Sequence, residues 1–318
     1  MTKISPLALT ALAAAAIAAI AASPLLAQSG APYTVLETGK GYARLQDAVN
    51  AIGNGRGTVQ IASGRFADCA VQDAGDVTFK AAVAGQSVLE GEACEDKAAL
   101  VLRGRTTHVE GLVFANQHSS SGNGAGIRAE KGLISVSQSW FRDSQQGILS
   151  ADDPNGTLTV DKSTFTRLGT CAFSAGCAHS IYVNGFGALT VTRSRFEIGR
   201  GGHYLKSRAA KVAVLASSFD DSQGKWTNYM IDLPAGATGR IAGNWFVQGQ
   251  HKENYSALIA VGAEGRKNPS AGLKIEGNDA RLVPGLDRDT VWVADWSGEL
   301  LAIGQNSLGA RLKPFERR

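Results

Sequence analysis

A short phrase of alternating apolar and polar positions recurs along the chain and closes each time on phenylalanine. It runs Val136-Ser137-Gln138-Ser139-Trp140-Phe141, then Val160 to Phe165, Val191 to Phe196, Val214 to Phe219 and Ile241 to Phe246. Ile275 to Asn278 begins a degraded copy. From Phe114 the phenylalanines step by 27, 24, 31, 23 and 27 residues. A second phrase interleaves with the first: Ile127-Arg128-Ala129, Ile148-Leu149-Ser150, Ile181-Tyr182-Val183, Leu205-Lys206-Ser207, Ile231-Asp232-Leu233 and Ile259-Ala260-Val261. Each unit thus holds two or three short strands rich in Val, Ile, Phe and Thr, bounded by Gly, Asn or Asp. No unit has room for a crossover helix, and the period is too short for four-stranded propeller blades.

Coils of this size that stack on themselves make an all-β fold, a right-handed parallel β-helix of about 24–27 residues per coil. Ile181 and Val183 are expected inward, stacking on Leu205 and Ser207, with Tyr182 and Lys206 outward. Ser139, Ser163, Ser194, Ser217, Asn244 and Asn278 line up as a polar ladder at one corner. Helical spacing of Leu45, Ala48, Val49 and Ile52, stopped by Gly53-Asn54-Gly55, predicts a helix over about 42–52 that caps the open core. Coils then fill about 58–280, and residues 281–318, with Trp292 and Trp296, close the other end.

Composition and charge narrow the setting. Lys3 is the sole charge before an apolar run from Ile4 to Leu26, followed by a small-residue exit at Ala27. This predicts a signal peptide over 1–27 and a single exported domain over 28–318, periplasmic or secreted. An uncleaved anchor is the competing reading, since the run is long enough to span a bilayer. After cleavage no stretch is apolar enough for a stable membrane span. A net charge of +4 without basic runs gives no footprint for nucleic acid. Nothing in the pattern calls for more than a monomer. Four cysteines form an even set, which an exported chain can oxidise. Of three pairings, Cys69–Cys94 is preferred because 25 residues is about one coil, with Cys171–Cys177 clamping one loop.

Gly41-Tyr42, the helix Leu45 to Ile52, the stretch Thr58-Val59-Gln60-Ile61-Ala62-Ser63-Gly64-Arg65-Phe66 and the repeats together resemble the pectin-lyase-like superfamily, over about residues 33 to 280. The resemblance is specific for architecture and unspecific for reaction, because this superfamily includes lyases, epimerases, polygalacturonase-type hydrolases, tailspikes and adhesins. It implies Lys or Arg as base in its lyases, often with Ca²⁺ holding the substrate carboxylate. The Asp-rich calcium site of pectate lyases is not found in this chain, and no residues stand out as metal ligands.

The densest polar cluster falls on three consecutive coils: His179 to Asn184, His203 to Arg208 and Tyr229 to Pro234. Tyr182, Lys206 and Asp232 are expected in one outward row and Asn184 with Arg208 in the next. His179 and His203 are expected to stack at the strand start, with Gln146 below and Tyr229 above. A groove lined by Lys, Arg, Tyr and His suits an acidic polysaccharide, because β-elimination from a uronate needs a base and cations on the carboxylate. By that chemistry Lys206 is the candidate base, Arg208 the carboxylate clamp, and Tyr182 or His203 the acid. His179, Asn184, Tyr204, Tyr229 and Asp232 complete a substrate-binding set. Each has a plainer reading. Lys206 with Asp232 makes a surface ion pair, and the histidines are satisfied corner residues. Asp152-Asp153-Pro154-Asn155-Gly156 points to a hydrolase if its carboxylates act, but also reads as a turn. Two further readings stay open, a non-catalytic glycan-binding envelope protein and a polygalacturonase-like glycoside hydrolase.

Overall fold

Alternation every two residues, repeated coil after coil, leaves each strand one face to bury and one to present, and the chain winds accordingly. The computed structural model describes residues 30–173 and 176–318; the expected signal peptide lies outside them. The described chain forms a right-handed parallel β-helix with three long sheets. The first sheet has twelve strands, and the second and third have ten each. In the region that matters below, the first sheet contains Phe186–Thr192, Lys211–Leu215 and Thr238–Ala242. The second contains Arg195–Glu197, Ser218–Asp220 and Trp245–Gln248. The third contains Ile181–Val183, Leu205–Ser207 and Ile231–Leu233.

The phenylalanine row is the spine of the core. Phe114, Phe141, Phe165, Phe196, Phe219 and Phe246 are all buried, and each successive pair stacks with ring centroids 4.7–4.8 Å apart. That spacing is set by the hydrogen-bonded distance between neighbouring strands. It places one ring over the next in every coil.

The expected polar ladder is present at the corner between first and second sheets. Ser139 N–H donates to Ser163 Oγ at 3.2 Å, Ser163 to Ser194 at 3.2 Å and Ser194 to Ser217 at 3.1 Å. Ser217 N–H then donates to Asn244 Oδ1 at 2.9 Å and Asn244 to Asn278 at 3.0 Å. The ladder runs one rung further than the sequence suggested, to Asn306 Oδ1 at 3.1 Å. Each hydroxyl also donates back into its own turn, as Ser163 Oγ does to Asp161 O at 3.0 Å. The residue before each serine rung is in left-handed backbone, from Gln138 at φ 50° to Ala216 at φ 49°. Gly243 and Gly277 take the same position at φ 66° and 65°, where the absence of Cβ removes the steric cost.

Both ends are covered. Leu45–Ile52 forms the expected helix, and its Leu45, Ala48 and Val49 are buried in the core cluster. Tyr33–Val35 pairs antiparallel with Arg56–Ile61, which blocks further parallel addition at that edge. At the far end coils continue beyond residue 281, since Thr290–Asp295 and Leu312–Arg317 extend the third sheet. Trp292 packs edge-on against Phe246, with centroids 4.9 Å apart.

Both disulfides pair as preferred, Cys69–Cys94 and Cys171–Cys177. Two disulfides fit an oxidising compartment. Among the described residues no helix is long and apolar enough to cross a membrane.

Candidate functional site

Short strands in exact register decide what the third sheet presents outward. Tyr182 pairs with Lys206 and Lys206 with Asp232, so the three form one outward row across adjacent coils, about 4.8 Å apart. Three residues earlier, at the entrance to these strands, stand Gln146, His179, His203 and Tyr229. The two histidine rings lie 5.0 Å apart and His203 stacks on Tyr229 at 5.5 Å, in the predicted order. His179 also meets the Tyr182 ring edge-on at 5.1 Å.

Arg208, just past its strand, folds back over Tyr182. Its guanidinium lies 5.2 Å from the Tyr182 centroid and donates to the Tyr182 hydroxyl. Lys206 Nζ sits over the same ring at 5.7 Å. Both cations then converge on a residue that the sequence did not single out. Lys206 Nζ is 2.6 Å from Glu264 Oε1, and Arg208 donates to Glu264 Oε2. Glu264 belongs to the turn leaving the third sheet, where its N–H donates to Pro234 O at 2.9 Å. Its side chain remains 46% exposed, whereas that of Lys206 is 11% exposed. A half-exposed carboxylate therefore fills a clamp of two cations.

Below the clamp the polar side chains are buried, Asp232 and His203 among them. Asp232 Oδ2 lies 3.5 Å from Lys206 Nζ and 3.4 Å from His203 Nε2, while its Oδ1 is buried without a hydrogen-bond partner. Burial pushes the Asp232 carboxyl up to about 6, with Lys206 opposing and Glu264 adding to the rise. Glu264 goes the other way. Against the raising effect of partial burial, Lys206 and Arg208 hold it below the usual glutamate range. Burial, followed by Lys206 and Arg208, pushes His179 down to about 3. His203 is likewise driven well below its ordinary value, first by burial and then by His179 and Lys206. His179 Nδ1 accepts the His203 N–H at 2.9 Å, so the neutral ring carries its proton on Nε2.

Two expected members lie elsewhere. Tyr204 points into the body of the solenoid, 1% exposed, and its hydroxyl donates to Asp221 Oδ1 at 2.8 Å. The residues equivalent to it on later coils are Met230 and Leu258, both buried, so this row turns inward at the corner. Asn184 turns back to the preceding coil, with Nδ2 donating to Ser150 O at 2.7 Å. The paired aspartates serve backbone: Asp152 Oδ1 accepts Gly185 N–H at 2.7 Å and Asp153 Oδ2 accepts Gly132 N–H at 2.8 Å. Among the described residues no group of three or more His, Cys, Asp or Glu converges as a metal site would require. Compared with protein-family models, curated proteins and solved structures, the chain matches none of them.

Proposed function

We propose that the chain is an exported carbohydrate-active protein that binds a uronate-containing glycan along its third sheet and cleaves it by β-elimination. The observation that carries this reading is the grip of Lys206 and Arg208 on one carboxylate beside the Tyr182 hydroxyl. A uronate carboxylate has the same charge and shape as the Glu264 group now in the clamp. The fold is compatible with carbohydrate-active proteins, and two disulfides fit export.

In the proposed reaction a base removes the proton beside the uronate carboxylate, the electron pair forms a carbon–carbon double bond, and the glycosidic C–O bond on the next carbon breaks. The leaving oxygen then takes the proton that the base has accepted, which restores the base. Two cations on the carboxylate stabilise the charge that builds there. The base role passes from Lys206, which has carboxylate neighbours on both sides, to Tyr182, whose hydroxyl adjoins the clamp. Lys206 then joins Arg208 in holding the carboxylate. His203 and His179, kept neutral by burial, set the wall beneath. Asp232 and Tyr229 line the same floor.

A second reading has its own support. Asp232 and Glu264 flank Lys206 with their proton affinities driven apart, which is the division of labour that a glycoside hydrolase needs. Incubation with a panel of uronate polysaccharides, read for ultraviolet absorbance and reducing ends together, separates the readings. Elimination gives both signals, and Arg208→Ala, folded by circular dichroism, loses on the order of a hundredfold of the rate. Reducing ends without absorbance, abolished by Asp232→Asn, would establish hydrolysis instead. Binding without product on long incubation would leave a non-catalytic glycan receptor.

A further inference from the structure

Of the aromatic side chains in the described residues, Trp226 is the most exposed, at 69%. It also stands in left-handed backbone at φ 57°, a conformation that a bulky side chain adopts only when its surroundings impose it. The imposing structure is local. Lys225–Thr227 pairs with His251–Lys252 as a small ribbon beside the solenoid, and the register shifts between Lys225 and Thr227. Trp226 is therefore the extra residue of a bulge, a device that re-aims a side chain.

The ribbon is tied down from inside. Thr227 Oγ1 donates to Asp221 Oδ1 at 2.7 Å, and Asp221 Oδ2 accepts Gly249 N–H at 3.0 Å. Lys252 Nζ lies 3.1 Å from the same Oδ2, with both side chains fully buried. Lys225 N–H and Asn228 N–H donate to Gly199 O and Gly202 O at 2.8 and 2.7 Å. A buried ion pair and four hydrogen bonds thus hold a strained, outward tryptophan in one place. None of this packs the indole itself.

Beside the indole lies a depression of about 430 Å³ lined by Thr170, Cys171, Ala172, Arg200, Trp226 and Glu253. Arg200 is half exposed, 3.3 Å from Asp143, and Glu253 Oε2 accepts Asn228 Nδ2 at 2.6 Å. Asn228 leads directly to Tyr229, whose ring stacks on His203. The depression is therefore at the rim of the face that carries the Lys206–Arg208 clamp.

We propose that Trp226 is a stacking platform for a further sugar unit of the glycan held by the third sheet. The C–H face of a pyranose is attracted to the electron-rich face of an indole. Glu253 and Arg200 then meet the hydroxyls or carboxylate at the ring's edge. The proposal rests on the reading of the third sheet as a glycan groove, and it adds length discrimination to it. Short oligomers reach the clamp alone, whereas longer ones span clamp and platform.

Calorimetric titration with short and long oligogalacturonates and oligoalginates, and with neutral xylo-oligosaccharides, tests it on wild type, Trp226→Ala, Trp226→Phe and Arg208→Ala. Trp226→Ala should weaken long acidic oligomers roughly tenfold, about the strength of one stacked ring, leave the shortest binder and the melting temperature unchanged, and be largely rescued by Trp226→Phe. Arg208→Ala should lose acidic oligomers of every length. Wild-type length dependence in Trp226→Ala overturns the platform while leaving the clamp standing. Neutral chains that bind through Trp226 with no acidic binding keep the platform and overturn the acidic groove. Wild type that binds none of these glycans overturns both.

Discussion

Every coil turns two corners before it reaches the third sheet, and the two are built on opposite plans. The corner between first and second sheets repeats one solution from Ser163 to Asn278: a left-handed residue, then a side chain that accepts the N–H of the coil before. The corner between second and third sheets begins alike, with Asn116, Asp143, Arg167 and Ile198 at φ 52–55°. It then diverges. One coil adds a disulfide-closed loop, and two others add the ribbon that carries Trp226. The constant corner holds coils together, and the variable one places groups beside the clamp. Regular geometry here signals packing, and departures from it signal a site.

The comparison can be broken first at the regular part. Phe165→Ala should cost about 3–5 kcal/mol, because a 0% exposed ring loses stacked neighbours on both sides and the rigid coil spacing prevents collapse. Denaturant unfolding measures it, and a loss under 1 kcal/mol would mean that the phenylalanine spine is not what holds the coils. A smaller effect belongs to the irregular part. Glu264→Gln should tighten uronate binding roughly fivefold, the worth of an exposed ion pair near 1 kcal/mol, while the melting temperature falls by about 2–4 °C at most. Weaker binding would mean that Glu264 contacts the ligand rather than competing with it.

The smallest expected effect is a pH dependence. Asp232, pushed up to about 6 by burial, is ionised above that pH and then sets a negative charge beside Lys206 that repels an incoming carboxylate. Protonation as pH falls removes that charge, while uronates, with pKa of roughly 3.5, remain ionised. Affinity should therefore rise roughly threefold from pH 7 to 5, and Asp232→Asn should flatten the profile. His179, down at about 3, adds nothing in that window, and burial moves His203 in the same downward direction.

The sequence made the constant parts readable and the variable parts only partly so. The phenylalanine row, the ladder and the outward row of Tyr182, Lys206 and Asp232 repeat with the coil, so spacing alone locates them. Asn306 escaped notice because its copy, Gln305-Asn306-Ser307-Leu308, lacks the closing phenylalanine. Glu264 escaped because an exposed acid in a turn has no repeat partner, and its link to Lys206 spans 58 residues. Tyr204 belongs to the polar stretch His203 to Arg208 expected in the groove, yet strand alternation fails at the corner it occupies. The apolar Met230 and Leu258 on the following coils were the available clue. Trp226 needs a backbone bulge to be exposed, and no periodicity encodes that.

The ladder has a consequence for how such a chain can change length. Because successive rungs share one turn conformation and one acceptor, a whole coil is interchangeable at that corner. Removing the segment from Ser163 to Arg193 would bring Ser194 Oγ to the Ser139 N–H that Ser163 now accepts. The clamp has no such modularity. Tyr182, Lys206 and Glu264 come from separate windings, so the excision that spares the scaffold would delete Tyr182. What the molecule inherits coil by coil is its architecture; any activity belongs to one particular order of coils.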